Sequence, residues 1–167
     1  SGKNPIKMAA LKESLDGLKL KNLRTYIQSG NLVFEASDMT AAELSKKITT
    51  RIRRDFDCQV PVIVKTANEL EKLVRNNPFL KEKGIDLDKL HVTFLAEAPV
   101  KATLKNLDRL PLKPDRFILK GTELYIHCPA GYGNTKLSNT AFERLLTVVA
   151  TTRNWKTVNK LLAMASG

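Results

Sequence analysis

Cysteine and histidine are nearly absent from this 167-residue chain: Cys58 and Cys128, His91 and His127 are all it has. The two cysteines stand far apart, with no second Cys or His at ligand spacing, which argues against both a disulfide framework and a zinc site. They read as two partly buried, apolar thiols. The histidines fall on different predicted strands, and no Ser, Cys or Asp holds a nucleophile-motif position relative to either. No pair of carboxylates stands at a helix-face or turn spacing that marks a metal site, and GIDLDKL is too short for a calcium loop and reads as a solvated turn. No metal and no cofactor are therefore expected. No apolar run approaches the roughly 20 residues that cross a bilayer. The start, SGKNPIKMAA, lacks the apolar core of a secretion signal. The expectation is a cytoplasmic protein without a membrane partner.

Acid is the other shortage. Lys and Arg number 28 against 17 Asp and Glu, a formal net charge of +11. Such an excess attracts nucleic acid, an anionic membrane surface or phosphorylated small molecules, although Lys-rich helix faces also serve solubility alone. The bases are spread through the chain and form no tail. With 43% hydrophobic residues there is enough apolar surface for a globular core.

Periodicity and punctuation order the elements. Asn4-Pro5 is a helix start, since Asn accepts orphan amides and Pro at the first position loses no hydrogen bond. Ile6, Met8, Leu11, Leu15 and Leu18 follow at helical spacing. RTYIQSGNLVFEA reads as a hairpin turning at Ser29-Gly30-Asn31. Thr40 with Glu43 opens a second helix, and QVPVIVKT is a strand. After a helix near 68–76, KLHVTFLAE is a strand and PVKATLKNLDRL a helix. DRFILKGTELYIHC is a hairpin turning at Gly121-Thr122, LSNTAFERLLTVV a helix, ATTRN a strand and WKTVNKLLAM a closing helix.

The second series is the split βαββαβ order of ferredoxin-like folds, and the first matches it without an opening strand. The expected architecture is thus α+β: two ferredoxin-like subdomains and an additional C-terminal helix. The first covers 1–67 and lacks its opening strand. A linker helix and loop occupy 68–88, and the second subdomain with the closing helix covers 89–167. An apolar strand of roughly ten residues is expected ahead of Ser1, because the absent strand is the central one of its sheet.

GKNPIKMAALKESL, RTYIQSGNLVF, HVTFLAE, YIHCPAGYGNTKLSN and TTRNWKTVNKL, in this order and spacing, resemble the bacterial domain-of-unknown-function family 1697. The resemblance covers essentially the whole chain and implies two ferredoxin-related α/β subdomains, usually opened by a strand and an RGIN-type turn. It implies no activity.

The junction GYGNTKLSN is the most suggestive local feature. It is not a Walker A sequence, yet a glycine pair, hydroxyls and a helix start could cradle a phosphate. A turn and a cap are the plainer description. Lys136 beside that start is a cation where the helix dipole favours an anion. Arg153 before Asn154 and Lys3 before Asn4 repeat the pattern. Topology makes Arg153-Asn154 and Gly131–Lys136 neighbours, because the third and fourth strands of a βαββαβ unit are parallel. The candidate anion-binding residues are Gly131, Gly133, Asn134, Thr135, Lys136, Arg153 and Asn154. Further candidates are Lys3, Asn4, Tyr26, Gln28, Ser29, Asn31, His127 and Tyr132, while Trp155 reads as core. Strand aromatics Tyr26, Phe34, Phe94 and Tyr125 could stack bases if exposed. The leading function is a non-catalytic protein that binds a phosphate-containing ligand or nucleic acid. The alternatives are an enzyme acting on a phosphorylated small molecule, with His127 or Tyr132 carrying the proton, and a protein-interaction module.

Overall fold

The computed structural model describes residues 6–26, 30–111 and 113–166. It is α+β, with two sheets and six α-helices among the described residues. The chain divides into two compact units, Ser1–Ala67 with Leu161–Gly167, and Asn68–Lys160.

In the first unit, α1 (Met8–Ser14) leads into an antiparallel hairpin of β1 (Lys21–Tyr26) and β2 (Asn31–Glu35), followed by α2 (Ala41–Phe56). The start of α1 differs from the sequence expectation. Asn4 and Pro5 lie outside the described residues, Ile6 and Lys7 are not helical, and Lys7 caps without a side-chain hydrogen bond. The Thr40 cap of α2 is present, its hydroxyl accepting from the Glu43 amide at 3.1 Å. Leu11 and Leu15 of the α1 region meet Ile48 and Ile52 of α2 in a buried cluster. Arg51 ties the two segments by donating to the carbonyls of Ser14 and Asp16. Gln59–Thr66, expected as a strand, joins no ladder among the described residues. Cys58, Val60 and Val62 still pack on the cluster at period two. The segment has a strand's side-chain alternation, but a strand also needs a neighbour to take its backbone hydrogen bonds, and the hairpin's ladder stops at β2.

The second unit begins with α3 (Ala67–Arg75) and continues through 3-10 turns at Pro78–Lys81 and Leu87–Lys89. There follow β3 (Leu90–Leu95), α4 (Lys101–Leu104) running on into a 3-10 turn, β4 (Arg116–Lys120), β5 (Glu123–His127), α5 (Asn139–Leu146), β6 (Ala150–Asn154) and α6 (Trp155–Ser166), whose residues from Leu161 on count with the first unit. The sheet order is β4-β5-β3-β6, every neighbouring pair antiparallel. The β4-β5 turn falls at Gly121-Thr122 as read from the sequence, with Gly121 at φ +61°. Pairing fixes two faces. His91, Thr93, Leu95, Leu124 and Ile126 share the face packed by Phe142, Leu145 and Leu146 of α5. Leu90, Val92, Phe94, Tyr125 and His127 share the other. There the Tyr125 hydroxyl donates to the Leu73 carbonyl of α3 at 2.7 Å, and buried Phe79 meets the His127 ring. The 68–88 stretch, expected as a linker, thus packs as part of the second unit because Leu73 and Phe79 cover this face. Phe94 and Tyr125 are buried, which removes them as base-stacking platforms. Trp155 is buried as well.

α5 ends at Thr147, which caps it in the left-handed conformation (φ 55°, ψ 44°), its amide bonded to the Glu143 carbonyl at 2.8 Å. A β-branched side chain is strained there, whereas glycine is not. Thr147 is exposed, so nothing is lost with its side chain. Thr147→Gly is expected to stabilise the fold by about 1 kcal/mol. Urea unfolding measures it, and an unchanged or lower midpoint would contradict the strain.

Candidate functional site

β5 and β6 each pair antiparallel with β3, so they run parallel and finish at the same end of the sheet. His127 lies opposite Leu90, and Asn154 opposite His91. Over this end folds the Gly131–Asn139 loop. Gly131, at φ +99°, makes the turn and returns its amide to the Cys128 carbonyl at 2.9 Å. The Tyr132 ring stacks on His91, centroids 4.5 Å apart, and its hydroxyl oxygen accepts from the Asn139 amide. The Thr135 hydroxyl donates to the Asp115 carboxylate at 2.5 Å and accepts from the Leu137 amide. Ser138 caps α5 by accepting from the Ala141 amide at 3.2 Å.

These bonds describe the loop as a turn and a cap. The Thr135 hydroxyl and two amides at the α5 start already have protein partners. A side chain at Gly133 would meet nothing within 4 Å, so no close approach demands glycine there. Lys136 is exposed and lies two residues before the cap, outside the helix, because buried Leu137 and capping Ser138 come between. Asn134 is exposed beside it. Neither α5 nor α6 carries an acidic residue in its first turn.

Asn154 caps α6 as its position suggests, its side-chain oxygen accepting from the Thr157 amide at 2.8 Å. Arg153 parts from its neighbours. It pairs across the ladder with Val92, on the face away from α5, and donates to the Thr151 hydroxyl and the Thr152 carbonyl. Burial pulls its guanidinium below the usual arginine range. The two loop ends converge as topology requires, but Arg153 is turned to the face of the sheet away from α5, because strand residues alternate.

His91 and His127 are likewise separated by face. His91 is pushed below the ordinary histidine range by burial, and its Nδ1 is buried without a hydrogen-bond partner. His127 lines a cleft of about 290 Å³ with Lys83, Asp86, Lys89 and Pro129. Its Nδ1 lies 3.0 Å from an Arg116 Nη2 that also bonds Glu82, a constellation that no sequence motif announced.

In the first unit, Tyr26 and Asn31 pair across the hairpin, and the Asn31 amide donates to the Tyr26 carbonyl at 3.1 Å. Buried Asn31 thereby closes the strand ends. Lys3, Asn4, Gln28 and Ser29 lie outside the described residues. Among the described residues, no group of three or more His, Cys, Asp or Glu is placed to hold a metal, and no helix is long and apolar enough to cross a membrane. Cys58 and Cys128 are both free thiols.

Comparison with known proteins places this geometry in a family. No curated protein matches the chain. A solved structure does: the conserved bacterial protein SP0830 from Streptococcus pneumoniae superposes with a TM-score of 0.70 at 23% identity, over 99% of this chain and 92% of that one. At that identity the likeness concerns the fold. A family model described as "Protein of unknown function (DUF1697)" matches residues 1–125. The match spans most of the 167 residues, and the chain belongs to the DUF1697 family.

Proposed function

We propose that this protein is non-catalytic and binds an anionic ligand, a phosphate-containing molecule or nucleic acid, at the end of the four-stranded sheet where β5 and β6 finish. The observation that carries the reading is the pair of helix starts near that end. α5 and α6 both begin there without an acidic first-turn residue. Exposed Lys136 precedes one, and exposed Lys156 stands in the other. An anion complements both the cations and the helix dipoles. The charge balance supports it: even with every carboxylate paired, eleven cations of the 28 would have no acidic partner. The excess is shared, with twelve bases against seven acids in the first unit and sixteen against ten in the second. Each unit is read as ferredoxin-like, a description supported in the second by the β4-β5-β3-β6 order, with helices between β3 and β4 and between β5 and β6.

A labelled oligonucleotide, a nucleoside triphosphate and a sugar phosphate, titrated at rising salt, test the proposal. Affinity for the oligonucleotide is expected to fall steeply with salt, and Lys136→Gln and Lys156→Gln to lower the log–log slope by about one each. If none of the three ligands raises the melting temperature, anion binding is ruled out, because a ligand of the native state must stabilise it. The position of His127 in the cleft beside Lys83 and Lys89 favours one second reading, an enzyme acting on a phosphorylated small molecule. Turnover lost in a folded His127→Ala variant would establish it.

A further inference from the structure

Arg116 joins three elements of the second unit. From β4 it reaches Glu82, just after the Pro78–Lys81 turn, with a two-pronged contact at 2.7 and 2.8 Å. The same guanidinium places Nη2 3.0 Å from His127 Nδ1 on β5 and sits 5.0 Å over the Phe79 ring. Phe79 in turn packs on the His127 ring at 5.8 Å. Arginine only donates, so His127 Nδ1 must accept, and the imidazole is neutral in this arrangement. A proton on Nδ1 would set N–H against N–H and one positive charge against another.

We propose that His127, Arg116 and Glu82 form a proton-sensitive latch that holds the 82–86 segment on the four-stranded sheet at neutral pH and loosens it on acidification. The sheet itself cannot yield, because Arg116 and His127 are register partners in the β4-β5 ladder. At its far end the loop is anchored by the Lys89 carbonyl, which accepts from the Cys128 amide at 2.9 Å. Between these points its backbone bonds are local, Ile85 to Glu82 and Lys89 to Asp86. The Glu82 amide stays on the carbonyl of buried Phe79, so loss of the Arg116 fork frees the Glu82 side chain and residues 83–86, and widens the 290 Å³ cleft that this segment lines with His127.

The groups around His127 pull in both directions. Glu82, Asp86 and Asp115 favour its proton, burial and Arg116 oppose it, and the balance lies below the ordinary value. Lys83 and Lys89 also line the cleft. A histidine that holds its proton less tightly in the fold than in the unfolded chain contributes stability above about pH 6.5, and that contribution is lost as the pH falls. Both arms of the Arg116–Glu82 pair are about two-fifths exposed, so solvent screens the pair and its role is positional.

NMR titration of the whole chain from pH 7.5 to 5 tests the latch. The His127 ring is expected to titrate below the ordinary value of about 6.5, with the Gly84 and Ile85 amides following the same midpoint. Protection of the Ile85 amide, corrected for intrinsic exchange, should drop severalfold across it. Arg116→Met should move the midpoint upward, and Arg116→Gln serves if that variant does not fold. His127→Gln keeps an acceptor for Arg116 but cannot titrate, and should abolish the step. A midpoint indifferent to Arg116, a step that persists in His127→Gln, or loop amides that respond only in the carboxylate range near pH 4 would overturn the latch.

Discussion

Phe142→Ala is expected to destabilise the protein by about 3–5 kcal/mol, the range for truncating a fully buried aromatic. Phe142 has no exposed surface and lies in the cluster formed by Leu95, Leu124, Ile126 and Leu137 with the rest of α5. Its ring meets Phe117 of β4 edge-on, centroids 5.4 Å apart, a geometry that adds to simple burial. The neighbours cannot close the hole cheaply, since Leu95, Leu124 and Ile126 sit on β3 and β5, each held by ladders on both sides, and Leu145 and Leu146 on a helix capped at both ends. For a chain of this length the loss corresponds to a fall in melting temperature of roughly 10 °C. Phe142→Leu, which retains most of the volume, should cost less than half as much. Urea unfolding followed by circular dichroism compares the two. A cost under about 1 kcal/mol for the alanine variant would mean that α5 is not seated on the sheet as described.

Features that were legible in the sequence rest on neighbours a few residues apart. Thr40 and Asn154 accept amides three residues on, and Gly121 turns a hairpin, all within single turns of chain. The parallel course of β5 and β6 followed from topology alone. Which face each candidate side chain takes depends on ladder register, and the sequence does not print register. Arg153 and Asn154 are adjacent in the chain and on opposite faces for that reason. Lys136 borders the helix that the sequence suggests over LSNTAFERLLTVV, but Leu137, the first residue of that stretch, is buried ahead of the Ser138 cap. The Arg116–Glu82–His127 contact joins residues 34 and 11 positions apart, with no spacing rule to connect them. Gln59–Thr66 shows the converse: its period-two pattern was real, while the ladder that pattern implied depends on a neighbour elsewhere.

The second large effect concerns the polar chain that crosses from the sheet to α5. Thr152 donates its one hydroxyl hydrogen to the Asn139 side-chain oxygen at 2.9 Å, so the 2.7 Å contact with Thr93 must have Thr93 as donor. The Asn139 amide group then donates to the Ala150 carbonyl and to Glu143 Oε1, both at 3.0 Å, and the other Glu143 oxygen accepts the Ala150 amide. Every member is both positioned by and dependent on the next, which makes the order of losses predictable. Asn139→Ala strands the Ala150 carbonyl, the Thr152 hydroxyl and half of Glu143, and is expected to cost about 3 kcal/mol. Thr152→Val leaves Asn139 without its donor and Thr93 without its acceptor, for about 2 kcal/mol. Thr93→Val removes only the terminal donor of the chain while keeping its volume, and should be within about 1 kcal/mol of neutral although Thr93 is the most deeply buried of the three. Burial alone predicts the reverse ranking, with Thr93 the most sensitive. The three unfolding free energies therefore decide whether hydrogen-bond connectivity or depth governs this junction. A Thr93→Val cost equal to or above that of Thr152→Val would show that the chain does not run in the direction assigned.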